Sequence, residues 1–511
     1  MSAARRGAST SALALALRTG CRSPMRFVVP ACLGLAALSL PLNSMPSNDP
    51  WGWLVWGREV AQFDLNTVDG PSWKPLPVLF TTIFSLFGDA APELWLVVAR
   101  AGGVLALVLA YRLASRFAPP PGGVAAALLL ILTPSDAGWL IYMAKGVSEP
   151  LVAALVLWAV ERHLDGRPSQ AFVLGVLAGL ARPEAWPFVT AYAIVLWSRA
   201  PATRPLLLSL SVLIPVTWFG GDWLGSGDLF TGGERARGGE RASLALDRLL
   251  ARPILAVRQA VDVVIEPVWP LAAATVAAAQ RRGEGAPVLL GAAALGWLGV
   301  VVAFAVVGFA GAPRFMLPAA ALLCVLAGIG AGRLVAAVGR LALASAPSRA
   351  LGSAAVSRLA AAVAAAALAL VALPVALPRA SVVAPRLAGV QIRAAMQDHL
   401  LLAVRRAGGG ARLLDCGRLG SRVFATTLAW ELDVSIEAIP RRLRPPGVAL
   451  VRDREIRVAG LRPPPAGARV LARAPGWSVI AAGSPCGSPG RARSPRPAAR
   501  RVTAGILLRA E

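Results

Sequence analysis

Long apolar runs separated by short polar segments are the most regular feature of the chain. About eleven runs of roughly 12 to 24 residues recur, and the longer ones match the roughly 20 residues of a membrane-spanning helix. The alternation of single apolar and polar residues that marks a membrane barrel is not visible. The pattern therefore predicts an all-α polytopic membrane protein with about 11 transmembrane helices. The runs are 27–45, 93–113, 122–141, 147–161, 170–181, 185–198, 205–221, 263–279, 286–309, 315–337 and 354–377.

Arginines in alternate loops predict the orientation of these helices. Short loops rich in Arg or Lys face the cytoplasm, whereas long segments cross the membrane regardless of charge. We therefore place the N-terminus inside, the segments 46–92 and 222–262 outside, and the region after residue 377 outside. The arginines that decide this are Arg5, Arg6, Arg18, Arg22, Arg26, Arg112, Arg116, Arg162, Arg167, Arg199, Arg204, Arg281, Arg282, Arg340 and Arg349.

Composition excludes several other classes of protein. Only 15% of residues are charged and 56% are hydrophobic, which is typical of a membrane protein. The net charge of +25 would suit nucleic acid, but the aromatic residues lie in apolar runs or beside them, and no nucleic-acid-binding motif is present. Two histidines exclude a histidine-rich metal site. Residues 1–24 are basic and are expected to be a disordered cytoplasmic segment, followed by a retained helix rather than a cleaved signal peptide.

Charged residues gather on the predicted outer face. Ionisable groups near membrane depth are candidates for function. Each also has a structural interpretation: an N-cap at Asp49, first-turn dipole chemistry at Glu149, a self-paired kink at Arg182 and Glu184, a snorkelling Arg314 and an interfacial belt of the Trp cluster at 51–56, which includes Trp51. The group also includes Lys74 and Lys145, the two lysines of the chain.

Five short segments around these residues resemble the GT-C superfamily of membrane glycosyltransferases, over roughly residues 25–335. This superfamily includes the polyprenyl-phosphate-sugar-dependent mannosyltransferases and the aminoarabinose transferases. The segments are Asn48-Asp49-Pro50-Trp51, Trp73-Lys74-Pro75-Leu76-Pro77, Gly146-Val147-Ser148-Glu149-Pro150, Gly179-Leu180-Ala181-Arg182-Pro183-Glu184-Ala185-Trp186 and Pro313-Arg314-Phe315-Met316-Leu317-Pro318.

The resemblance implies a polyprenyl-phosphate sugar donor and a catalytic base at Asp49. The family's Lys-Pro-Pro segment is Lys74-Pro75-Leu76 here, and the family's second acid has no copy adjacent to Asp49, so Glu149 or Asp69 is left for that role. Such a reaction needs a base for the acceptor hydroxyl and cations for the departing phosphate. Lys74, Arg182 and Arg314 are the phosphate candidates. A divalent cation bridging carboxylate and phosphate would fit, but no metal signature requires one.

A second domain is predicted at residues 378–486, outside the cell. Shorter apolar runs suggest a strand at 411–416, a helix at 421–431 and strands at 448–452, 468–473 and 477–482, which together make a small α/β domain. An oxidising compartment would permit a Cys416–Cys486 disulfide, with two free thiols as the alternative. Residues 487–511 are rich in Pro, Arg and Ser and are expected to be disordered.

The sequence thus predicts a cell-membrane glycosyltransferase with residues 25–377 as its transmembrane domain. Its partners would be a polyprenyl-phosphate sugar, the bilayer and an extracytoplasmic glycan, lipid or protein acceptor. Catalytic residues would be Asp49 and Glu149, and substrate-binding residues Lys74, Lys145, Arg182, Glu184, Arg314 and Trp51. A transporter or flippase of lipid-linked sugars is an alternative, although no matching inverted halves are visible. A non-catalytic protein of cell-envelope assembly is another.

Overall fold

The computed structural model describes residues 24–42, 44–133, 138–237, 246–344, 353–441, 446–453, 468–482 and 486. The disorder expected for residues 1–24 and 487–511 therefore falls almost wholly outside the described residues. The described part is mainly helical, with one small mixed sheet.

The helices before residue 345 build the first of two compact units. They are α1 Met25–Leu38, α2 Asn48–Ala61, α3 Pro75–Ser85, α4 Ala91–Phe117, α5 Pro120–Ile131, α6 Trp139–Ala144, α7 Glu149–Leu164, α8 Pro168–Ala181, α9 Trp186–Arg199, α10 Arg204–Ser226, α11 Thr231–Ala236, α12 Leu246–Val261, α13 Val268–Arg281, α14 Gly285–Val306 and α15 Leu317–Ala344. Later helices are α16 Ser353–Ser381, α17 Val383–Arg406, α18 Gly410–Asp415 and α19 Ala425–Glu431.

Helix α15 lies at the centre of the first unit and is buried along most of its first half. Its small residues allow close packing, because a Cβ added at Gly328 would lie 2.5 Å from the carbonyl oxygen of Gly122 in α5. Small residues that let backbones approach are the usual packing device of helices in membranes. Helix α15 thus forms the core against which the site-bearing helices are arranged.

Four helices of the described residues are long and apolar enough to cross a membrane, namely Gly88–Phe117, Pro201–Ser226, Gly285–Val306 and Pro313–Ala342. A bent pair, Arg358–Ala367 with Ala372–Arg406, would make five. The predicted count of about eleven is not confirmed. Several predicted runs form shorter apolar helices, such as α1, α5 and α8, and these lack the roughly 20 residues needed to span alone.

The two long segments predicted outside the membrane are not simple loops. Helices α2 and α3 occupy much of 46–92, and α11 and α12 occupy much of 222–262. Buried tryptophans explain the order in the first segment, because Trp53 and Trp56 are 0% exposed and give α2 a core face. Both helices α2 and α3 begin at or beside a proline that is tolerated in a first turn.

The second unit comprises residues 399–422 and those from 440 onwards, while residues 423–439, including α19, belong to the first unit. Strands β1 Arg418–Ser421, β2 Gly447–Arg452, β3 Arg469–Ala474 and β4 Trp477–Ala482 form a sheet in the order β1-β2-β4-β3. Strands β1 and β2 are parallel and the other pairs are antiparallel.

Three predicted strands of this unit are observed, but the strand predicted at 411–416 is wrong. Residues 410–415 form helix α18, because Leu413 and Cys416 are three residues apart and are both buried, which is a helical spacing. The strand begins only at Arg418, after Gly417 at a φ of +113°. The predicted helix at 421–431 is shorter and runs from Ala425 to Glu431.

The structure pairs Cys416 with Cys486, whose Cα atoms are 5.2 Å apart. Both residues lie in the second unit, and the chain between them contains all four strands, β1 to β4. Among the described residues, Cys32 and Cys324 are free and buried.

Candidate functional site

A tryptophan pair fixes the turn that leads into α7. The indole nitrogen of Trp95 donates to the carbonyl oxygen of Gly146 at 2.8 Å, and Trp95 packs edge-on against Trp53 with ring centroids 5.4 Å apart. Gly146 has a φ of +63°, a conformation that favours glycine. This turn places Ser148 and Glu149 at the start of α7, facing α2 and the residues before α3.

Glu149 is the centre of the site. Its side chain is 2% exposed, and its Oε1 lies 3.1 Å from Arg182 Nη1, 3.6 Å from Arg314 Nε and 3.9 Å from Lys74 Nζ. Its Oε2 is buried without a hydrogen-bond partner among the described residues. One carboxylate therefore gathers three cations that come from segments far apart in the sequence.

Arg182 is held rigidly beside Glu149. It donates from Nε and Nη2 to the two oxygens of Glu184, at 3.0 and 2.5 Å, and its guanidinium lies 3.7 Å from the ring centroid of Phe315. A bidentate pair and a stacked ring fix the plane of the guanidinium. The sequence allowed Arg182 to be either a self-paired kink or a site residue. In the structure it is both, because it pairs with Glu184 and also contacts Glu149.

Lys74 is almost fully buried on another side of Glu149. Its Nζ lies 3.5 Å from Ser148 Oγ, to which it donates, and 4.8 Å from the ring centroid of Trp53. Burial lowers the pKa of Lys74 to about 8; the nearby Glu149 opposes this shift and Arg182 adds to it. Lys74 is therefore a cation that can lose its charge in the physiological range.

Asp49 and Arg314 form the exposed side of the cluster. Arg314 Nη2 donates to Asp49 Oδ2 at 3.2 Å. The side chain of Asp49 is 22% exposed and that of Arg314 is 31% exposed, against 7% or less for Lys74, Glu149, Arg182 and Glu184. Asp49 lies in the first turn of α2, where the helix dipole favours a negative charge, while the N-cap position is Ser47. A molecule that approached the cluster would meet Asp49 and Arg314 first.

The arrangement combines an accessible carboxylate and an accessible arginine with two buried cations that are paired with buried carboxylates. Asp49 can accept a proton from a hydroxyl, and Arg314 beside it can bind an anion through several N–H groups. Lys74 and Arg182 add positive potential in a region where burial weakens solvent screening. A group that develops negative charge here would be stabilised.

Two residues proposed from sequence, Trp51 and Asp69, have their described contacts outside this cluster, and Lys145 meets the start of α2 through its backbone. The carbonyl oxygen of Lys145 accepts from the backbone N–H of Ser47 at 3.0 Å, which joins the turn before α7 to the start of α2. Trp51 is 5% exposed and packs against Trp430. Asp69, the alternative second acid, accepts from the N–H of Gly70, and the acid that shares Arg314 with Asp49 is Glu149.

Three site residues were not singled out from the sequence: Ser148, Trp53 and Phe315. Ser148 and Phe315 lie inside segments that carried the resemblance, directly beside Glu149 and Arg314. Trp53 follows Trp51 by two residues, a spacing that cannot tell which indole meets a lysine.

Within the described residues, no group of three or more His, Cys, Asp and Glu side chains is placed to hold a metal ion. The guanidinium of Arg314 supplies the positive charge between Asp49 and Glu149.

Comparison with solved structures decides the fold. The apo structure of ArnT from Cupriavidus metallidurans, an aminoarabinose transferase of the GT-C superfamily, is similar at a TM-score of 0.50 and 16% identity, covering 89% of this chain and 97% of that one. The chain has the GT-C fold. Together with its apolar helices, this makes it a multi-pass membrane protein. The resemblance expected from the five segments is confirmed at the level of fold.

Two further solved structures match at lower TM-scores. ArnT from Cupriavidus metallidurans bound to undecaprenyl phosphate matches at a TM-score of 0.46 and 15% identity, covering 89% of this chain and 97% of that one. The apo oligosaccharyltransferase of Archaeoglobus fulgidus matches at 0.42 and 15% identity, covering 70% of this chain and 56% of that one. No protein-family model and no curated protein sequence matches the chain.

Proposed function

We propose that the protein is a GT-C-type glycosyltransferase that moves a sugar from a polyprenyl-phosphate-linked donor to an extracytoplasmic acceptor. The observation that carries the proposal is the convergence of Asp49, Lys74, Arg182 and Arg314 on Glu149, in a chain with the GT-C fold. This set matches what the reaction needs, a base and a phosphate site side by side.

Asp49 is proposed as the base. It would take the proton of the acceptor hydroxyl while that oxygen attacks the anomeric carbon, and the bond from this carbon to the phosphate oxygen breaks. The leaving polyprenyl phosphate gains negative charge in this step. Arg314, on the exposed side, and Lys74, behind it, would stabilise that charge.

Glu149 is proposed to organise the cations rather than to accept a proton. Three cations meet its Oε1, and without it they would repel one another in a buried place. Arg182 holds its place through Glu184 and Phe315 and so supplies fixed positive charge.

We further propose that the site faces outwards and that about eleven helices cross the membrane. Helix α7 supports the orientation, because Glu149 lies at its N-terminal end and Arg162, predicted to be cytoplasmic, lies at its C-terminal end. Its 16 residues extend about 24 Å, close to the thickness of the hydrocarbon core. The remaining spans would be built from the shorter apolar helices.

Asp49→Asn tests the function. Wild-type protein in nanodiscs is expected to release polyprenyl phosphate and glycosylate an acceptor, and Asp49→Asn is expected to lower kcat by about 10²–10⁴-fold while the protein stays folded. The matched control is Asp228→Asn, an exposed acid whose Oδ1 accepts from the Phe230 N–H, a bond that Asn retains. Activity of Asp49→Asn within a few-fold of wild type would remove Asp49 as the base. No transfer by wild-type protein from any polyprenyl-phosphate sugar would remove the function.

A further inference from the structure

Residues 423–439 lie in the first unit, although the chain on both sides of them belongs to the second. The backbone N–H of Ser421 donates to the carbonyl oxygen of Pro440 at 3.0 Å, so this excursion starts and ends at neighbouring points. Its helix α19 packs along α2, the helix that carries Asp49. We refer to residues 423–439 as the tail clamp.

Arg58 of α2 anchors the tail clamp. Its guanidinium donates to the carbonyl oxygens of Ala429, Trp430 and Val434, at 3.3, 3.0 and 2.9 Å, and it pairs with Asp433 at 3.0 Å. The last carbonyls of a helix lack partners within the helix, and a cation there also suits the helix dipole. One arginine therefore binds the C-terminal end of α19 and the turn that follows it.

The other end of the tail clamp reaches the first turn of α2. Thr426 Oγ1 donates to Asn48 Oδ1 at 3.2 Å, and Thr426 is 2% exposed. Asn48 directly precedes Asp49. Between the two ends, Trp51 and Trp430 pack with ring centroids 6.4 Å apart.

Two residues that flank α19 have a left-handed backbone, which is costly for a bulky residue such as Phe and milder for Asp. Phe424 has a φ of +60° and Asp433 has a φ of +56°, both in the left-handed region. Such conformations persist where surrounding contacts enforce them. Phe424 packs against the core of the first unit, and Asp433 is paired with Arg58, so the contacts with α2 and its surroundings maintain both turns.

We propose that the tail clamp holds the first turn of α2 and thereby sets the position of Asp49 for sugar transfer, with Arg58 as its anchor and Thr426 as the positioning residue. The proposal rests on the function proposed above and adds a second segment to the site. Displacement of a reacting group by about 1 Å can cost on the order of 10²-fold in rate. A contact one residue from the base is well placed to prevent such displacement.

Neighbouring threonines on α19 provide a matched test. Thr426→Val removes the hydroxyl that meets Asn48, and we expect kcat to fall about 3- to 10-fold with the donor KM within about 2-fold of wild type. Thr426→Ser keeps the hydroxyl and should retain wild-type rates. Thr427→Val is the control, because Thr427 is equally buried and its Oγ1 has no hydrogen-bond partner among the described residues. Asn48→Ala, which removes the other partner, should reproduce the Thr426→Val effect even if Thr426→Val folds poorly.

Arg58→Ala provides a readout that needs no substrate. Hydrogen exchange of the amides of α19 in the full-length protein is expected to become at least about 10-fold faster, while Arg58→Lys gives a smaller change, because lysine cannot reproduce the planar fork. Unchanged exchange in Arg58→Ala, or equal kcat values for Thr426→Val and Thr427→Val in an active protein, would overturn the tail clamp alone. A wild-type protein that transfers no sugar would overturn the proposed function and, with it, the role given to the tail clamp.

Discussion

Helix α7 carries a charged cluster at each end, and the two clusters differ in how the oxygens of their buried glutamates are paired. At the C-terminal end, Glu161 is 0% exposed and each oxygen meets an arginine, Arg112 at 2.6 Å and Arg162 at 2.9 Å. At the N-terminal end, three cations crowd one oxygen of Glu149 at 3.1 to 3.9 Å, and its other oxygen has no described partner.

The two clusters also differ in the length of their contacts and in their exposure to solvent. Short, paired contacts around Glu161 continue through Arg162 and Arg116 to Asp165, and they join α4 to α7. The contacts around Glu149 are longer, so its three cations can also attract an incoming anion. The side of the cluster formed by Asp49 and Arg314 is accessible. We expect the saturated cluster, in which both oxygens of Glu161 are paired, to stabilise the fold, and under the proposal above the Glu149 cluster binds the substrate.

The largest effect on stability is expected at the saturated end. Arg112→Ala leaves Glu161 buried with one arginine instead of two, and breaking a buried pair costs about 3–5 kcal/mol. Unfolding in detergent micelles would measure this loss. Arg167→Ala, an exposed arginine of the following loop, is the control and should change stability by less than about 0.5 kcal/mol. Equal stability of the two variants would contradict the comparison.

Arg314→Ala is expected to lower activity much more than stability, the reverse of Arg112→Ala. Its side chain is 31% exposed, so its loss should change stability little, but it should lower kcat by about 10²–10³-fold, because one stabilising donor at the leaving phosphate is gone. Steady-state kinetics in nanodiscs and the same unfolding assay separate the two effects. Loss of stability with unchanged kcat per folded molecule would show that Arg314 stabilises the fold and does not act on the leaving phosphate.

The pH profile should sharpen the comparison further. The pKa of Lys74 is lowered to about 8 by burial, so Lys74 is charged below this pH and neutral above it. The kcat/KM for the donor should therefore fall about tenfold per pH unit above roughly 8. Lys74→Arg keeps its charge and should lose this alkaline limb, whatever its absolute rate. An unchanged limb in Lys74→Arg would assign the titration to another group.

Accessibility labelling tests which end of helix α7 faces outwards. The expected result is a direction and not a magnitude. Cysteines at the exposed positions Gln62 and Ser198 should behave oppositely with an impermeant maleimide on intact cells, with Gln62→Cys labelled and Ser198→Cys protected. Wild-type protein corrects for native cysteines. Labelling of Ser198→Cys alone would place the Glu149 cluster in the cytoplasm.

Local patterns predicted much of this molecule, and long-range contacts were hidden from them. Apolar runs indicated the membrane class, and the resemblance carried by Asp49, Lys74 and Arg314 indicated the fold now observed. The helical periodicity of α2 is not visible in the sequence, because five Gly and Trp residues before Arg58 obscure it. The contact of Arg58 with the tail clamp joins residues about 370 positions apart, for which a single sequence carries no signal.

The tail clamp also bears on how the protein is made. Helix α2 is synthesised near the beginning of the chain, but its partner α19 leaves the ribosome only after every apolar helix before it. Domains otherwise tend to fold as units from the N-terminus during synthesis. Under the proposal above, Asp49 would gain its final support only once residues 423–439 had been translated and had crossed the membrane. A chain interrupted before residue 423 would lack this support, so sugar transfer would reach its full rate only after the tail clamp has been translated.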